Sequence, residues 1–115
     1  MTPEYLSRID CLVADKVMGL DVRALMNYLP HYSTDIAAAW EVVEKLSPGR
    51  PFVLQIRNTM MGGFQVRASW TDTEIVNTYD ADFGGRMRVD QATAATAPLA
   101  ICLAALRAAG VEVPA

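Results

Sequence analysis

The sequence predicts one α/β domain of the α+β kind, spanning residues 1–115, with three helices and a small, mainly antiparallel sheet of three to four strands. Three observations carry this expectation. Apolar residues recur at three- and four-residue steps near both ends of the chain, the period falls to two in the middle, and glycine, proline and short polar clusters separate the segments. A chain of 115 residues that is 52% hydrophobic has the length of one domain and enough apolar material for a core.

The first helix is expected from Pro3 to Met18. Leu6, Ile9, Val13 and Val17 form its apolar stripe, while Glu4, Arg8, Asp15 and Lys16 fall elsewhere. Thr2 is its expected N-cap, Pro3 suits the first helical position and Gly19 suits a left-handed stop. Leu20 to Tyr32 lacks a clear period and reads as a connection. Ser33-Thr34-Asp35 then offers capping side chains for a second helix with the stripe Ile36, Trp40, Val43 and Leu46, ending near Ser47-Pro48-Gly49.

Beyond that breaker Phe52, Leu54 and Ile56 alternate with Val53, Gln55 and Arg57, and Phe64, Val66, Ala68 and Trp70 alternate with Gln65, Arg67 and Ser69. Two strands with one apolar face each follow, joined as a hairpin through Asn58 to Gly63. Glu74 to Tyr79 reads as a third strand and Arg86 to Asp90 as a short fourth one at an edge. A last helix is expected after Thr96, with Pro98 in its first turn, Leu99, Cys102, Leu103 and Leu106 on one side, and Gly110 as its stop. Its alanines combine helix propensity with little bulk and favour close packing.

The net charge of −3 and pI near 5.0 give no general attraction to a phosphate backbone, so nucleic acid is not an expected partner. The apolar run Ala97 to Ala105 is about half of the ~20 residues a membrane-spanning helix needs, so no membrane role is expected. The N-terminus lacks the basic start and apolar run of a secretion signal, which predicts a cytoplasmic location. Cys11 and Cys102 each sit in an apolar helical pattern and read as structural thiols rather than a disulfide or a nucleophile.

Three phrases of the chain carry a family resemblance. Ile9-Asp10-Cys11-Leu12-Val13-Ala14-Asp15-Lys16-Val17-Met18-Gly19, Tyr32-Ser33-Thr34-Asp35-Ile36-Ala37-Ala38-Ala39-Trp40-Glu41-Val42-Val43 and Ala97-Pro98-Leu99-Ala100-Ile101-Cys102-Leu103-Ala104-Ala105-Leu106 occur in the order of the opening, second and last helices of the phage ABA-sandwich family, which the chain resembles. The resemblance implies an α-β-α sandwich, a bacteriophage origin and host-cell cytoplasm, and implies no enzyme activity. Alternating strands leave one sheet face polar, whereas an α-β-α sandwich covers both. A homo-oligomer in which a neighbouring subunit covers the second face reconciles the two.

Candidate ligand-binding residues are Arg57, Arg67, Arg86 and Arg88, which alternation directs to the polar sheet face beside Gln55, Gln65 and Ser69. Planar guanidinium forks donate paired hydrogen bonds and stay charged, which suits phosphate; the plainer reading is four solvated arginines paired with carboxylates. Trp70 and Tyr79, at strand ends, are candidates for stacking on a base or for the core, whereas Trp40 on its helix stripe reads as core. Met60-Met61 in the glycine-rich hairpin is a candidate contact for a protein partner.

Catalytic material is sparse. His31 is the single histidine and reads as exposed or capping, no histidine and cysteine spacing fits a metal, and neither Gly62-Gly63 nor Gly84-Gly85 has phosphate-loop spacing. No cofactor and no metal are expected, and no residue constellation argues for an enzyme. The leading expectation is a non-catalytic phage accessory protein that oligomerises and binds an anionic small ligand, with sequestration of a nucleotide signal of host defence as its purpose. The alternative is a protein-binding inhibitor or assembly factor that acts on a host or phage protein through Met60 and Met61 or a sheet edge.

Overall fold

Thr2 starts the first helix as its residue type predicts: its Oγ1 accepts a hydrogen bond from the Tyr5 amide at 3.2 Å, and α1 runs Pro3–Leu12. In the computed structural model, which describes residues 2–24, 28–48, 50–58, 63–71 and 89–113, the helix continues as a π-helical segment, Val13–Val17. That segment buries Val13, Ala14 and Val17 and ends where Gly19 takes a φ of 69°.

The second helix, α2, runs Ile36–Leu46 and is capped by Asp35, whose side chain accepts from the Ala37 amide at 2.9 Å. Its buried face differs from the expected stripe. Ala38, Ala39, Val42 and Val43 face the core, while Ile36 is 51% and Trp40 47% exposed. The two alanines let the helix backbone come close to its neighbour, which turns the bulky Trp40 to the flank, where its ring meets Phe52 edge-on at 6.2 Å.

Among the described residues three strands form one antiparallel sheet in the order β1-β2-β3: β1 Phe52–Asn58, β2 Phe64–Thr71 and β3 Val89–Ala94. The expected hairpin pairs Leu54 with Ala68 and Ile56 with Val66, so the alternation read from the sequence is kept across both strands. The expected strand over Glu74 to Tyr79 lies outside the described residues. The expected Arg86 to Asp90 strand overlaps β3 at Val89 and Asp90, and β3 continues to Ala94. Gln91-Ala92-Thr93-Ala94 has little β propensity of its own; pairing with Val66 to Ser69 and the small size of Ala92 beneath a helix hold it extended.

The last helix, α3, runs Ala97–Ala108. Thr96 sits at the N-cap position but makes no side-chain capping bond, contrary to its expected role; Gly110, at φ 77°, ends the helix as expected. Every residue from Leu99 to Leu106 is buried, not one stripe, because α3 lies on β2 and β3 and is in turn packed by α2, α1 and the π-helical segment. Ala39, Ala68, Ala92, Ala100, Ala104 and Ala105, all nearly or fully buried, supply the close approach around it. The result is an α+β fold with three α-helices among the described residues, none of them long and apolar enough to cross a membrane.

Candidate anion-binding face

The sheet has two unlike faces. Towards α3 it buries Val66, Ala68 and Trp70 of β2 and Ala92 of β3. The opposite face carries Gln55 and Arg57 from β1, Gln65, Arg67 and Ser69 from β2, and Gln91 and Thr93 from β3, none of them buried. Arg67 stands between Gln55 on one side and Thr93 on the other, and Arg57 stands opposite Gln65. Arg57 and Arg67 are therefore diagonal neighbours, about 7–8 Å apart at their bases, within convergence range for two long guanidinium side chains. Among the described residues neither makes an ion pair or a side-chain hydrogen bond. Arg67 is half-buried and Arg57 exposed.

Two other arginines are engaged elsewhere. Arg50 holds Asp90 at 2.6 Å in a partly buried ion pair, and Arg107 donates to the Gln91 carbonyl at 2.7 Å. Of the other residues read as ligand- or partner-binding, Arg86, Arg88, Tyr79, Met60 and Met61 lie outside the described residues. Trp70 is described, and of its two expected roles the structure gives the core and not the ligand-binding one: it is fully buried on the helix-facing side of β2, 4.6 Å from the Phe52 ring. An odd offset in a strand reverses the face, so Trp70 and Arg67 point apart. Among the described residues no cluster of histidine, cysteine or carboxylate side chains could hold a metal.

Residues 11–106 match the family model of the phage ABA sandwich domain. The chain belongs to that family. The matched span takes in the π-helical segment, α2, the whole sheet and α3 up to Leu106, so the phage ABA sandwich identity covers the open face and the helices behind it. No curated protein and no solved structure matches the chain.

Behind the sheet, the phage ABA sandwich domain holds a second polar group that its sequence did not announce. Asp10, only 4% exposed, accepts the Ser33 amide at 2.8 Å on Oδ1, while its Oδ2 lies 3.8 Å from His31 Nδ1. Ser33 Oγ donates to the Leu6 carbonyl at 3.4 Å. Ser33 and Thr34 line a cleft of about 470 Å³ together with Leu6, Thr96, Pro98 and Leu99. The cleft wall is apolar apart from these hydroxyls, which can orient a ligand but include no acid–base pair.

The Cys102 thiol is inert in this setting. Both cysteines are free; Cys11 is half-buried, and burial, with Asp10 adding to it, pushes the Cys102 thiol far above its ordinary value of 9.0. Burial also raises Tyr32, with Glu41 adding most to it among the nearby charges. A proton held more tightly in the folded chain stabilises it below the unfolded value and is a liability above it. Stability should therefore fall as pH rises beyond 9, by up to about 1.4 kcal/mol per pH unit from Cys102. Urea unfolding at pH 8 and pH 10 measures the slope, and Cys102→Ala should flatten it.

Proposed function

We propose that this phage ABA sandwich domain is a non-catalytic binding protein that holds an anionic small molecule of the nucleotide class on its open sheet face. The observation that carries the reading is the diagonal pair Arg57 and Arg67, which have no carboxylate partner among the described residues and lie beside the amides of Gln55 and Gln65. Two guanidinium forks at that spacing can grip one phosphate from two sides, and the amides and the Ser69 hydroxyl add donors and acceptors for a base or sugar. The side chains described on that face are arginine, glutamine, serine and threonine, which suit holding an anion, and in this reading the bound molecule is held and not converted. In a phage-derived protein the purpose is sequestration of a nucleotide signal of host defence.

Calorimetric titration with mono-, di- and cyclic nucleotides, coupled to native mass spectrometry of gently purified protein, tests this. The expected result is a stoichiometric complex whose ligand is recovered unchanged and whose affinity falls with added salt. Arg67→Ala should weaken binding roughly 10- to 100-fold, the effect of losing one charge-assisted contact. No binding across the panel rejects the reading, and accumulating product would overturn its non-catalytic part.

A further inference from the structure

β1 is an edge strand with little to keep another strand away. Among the described residues its outer side has no neighbour, and from Phe52 to Asn58 it has no proline and a single charge, Arg57. On the helix side the sheet is covered over β2 and β3 by α3, which leaves Leu54 36% and Ile56 69% exposed. Phe64, Trp40 and Ile36 extend the same apolar surface, at 64%, 47% and 51% exposure.

We propose that a second copy of this chain pairs antiparallel with β1 about a two-fold axis through Gln55, joining the two three-stranded sheets into one. The strand's own sequence favours this occupant. Gln55 is the midpoint of Phe52–Asn58, so the axis sets Leu54 against the partner's Ile56 and Ile56 against the partner's Leu54, both on the helix side. Arg57 meets the partner's Val53, so no like charges stand directly opposed. The five apolar side chains, each about half exposed out of roughly 200 Å², offer about 500 Å² per copy. A stable dimer buries about 800 Å² per partner, and the paired backbone edge with the stems of Gln55 and Arg57 supplies the remainder.

A two-fold axis perpendicular to the sheet keeps both polar faces on one side. Arg57 and Arg67 of both copies then share a single surface, although the pairing itself does not depend on an anion binding there. Light scattering of the full chain across a concentration series, with no nucleotide added, tests the pairing. The expected result is a particle of twice the chain mass, shifted towards monomer by Ile56→Lys, with dissociation at least tenfold easier and circular dichroism unchanged. Arg67→Ala should leave the mass as it is. In a Cys11→Ser background a short thiol-to-thiol crosslinker should join two copies of Gln55→Cys and not two copies of Val53→Cys, whose bases are about four residues further apart across the axis. A monomer at all concentrations, a dimer indifferent to Ile56→Lys, a dimer crosslinked through Val53→Cys and not Gln55→Cys, or a complex with a different protein displacing the dimer would each overturn the proposal.

Discussion

Trp70→Ala should destabilise the domain by about 3–5 kcal/mol, a large part of the 5–15 kcal/mol that holds a typical domain together. Trp70 is the largest fully buried side chain and the base of an aromatic chain: its ring lies 4.6 Å from Phe52, and Phe52 meets Trp40 at 6.2 Å. Removing it empties the space under β2 and takes away the support through which α2 reaches β1. Trp70→Phe should be far milder, below about 1.5 kcal/mol, for a reason particular to this site. The indole Nε1 is buried and meets no acceptor among the described residues, and an unpaired buried donor costs about 1–3 kcal/mol. Phenylalanine removes that donor, which offsets part of the lost volume. Urea titrations of the two variants separate the effects; losses in proportion to the volume removed would mean that ring volume alone governs the site, and a phenylalanine loss smaller than that proportion reports the removed donor.

The parts of this fold that were legible in the sequence are those with local causes. Thr2 and Asp35 cap, Gly19 and Gly110 take positive φ, and the β1–β2 hairpin keeps the register its alternation implies, because each depends on residues within a few positions. What could not be read depends on distant partners. The Ile36 and Trp40 stripe looked like a core face, yet close packing of Ala38 and Ala39 against α3 decided the rotation of α2. Likewise Gln91 to Ala94 became strand through pairing with β2, and α3 is buried all round because helices cover the side away from the sheet.

The candidate site divides in the same way. Alternation alone placed Arg57 and Arg67 on one face and Val66 and Ala68 on the other, and the register brought the two arginines into diagonal proximity. It also determined Trp70, since an offset of three residues from Arg67 reverses the face. Asp10 gave no such signal. An aspartate among Ile9, Val13 and Val17 resembles any helix residue near an apolar stripe, and its partner Ser33 is 23 positions away.

Asp10→Ala should cost about 2–4 kcal/mol, because two losses fall together: a hydrogen bond to a charged acceptor and the stranding of a buried Ser33 amide. The carboxylate ties α1 to the turn that leads into α2, and that turn presents Ser33 and Thr34 to the cleft. Its loss should therefore loosen the 31–35 turn as well as lower stability. Asp10→Asn keeps an oxygen able to accept from the Ser33 amide and should cost less than half as much. His31→Ala should cost under about 0.5 kcal/mol, since the imidazole is 80% exposed and its 3.8 Å approach to Asp10 is screened by water. Denaturant midpoints give the order of the three variants, and amide exchange at Ser33 reports the turn directly. If Asp10→Ala and His31→Ala lose the same small amount and Ser33 exchange is unchanged, the buried carboxylate does not hold the turn; if the alanine variant alone unmasks Ser33, the helix-to-turn tie is what shapes the cleft.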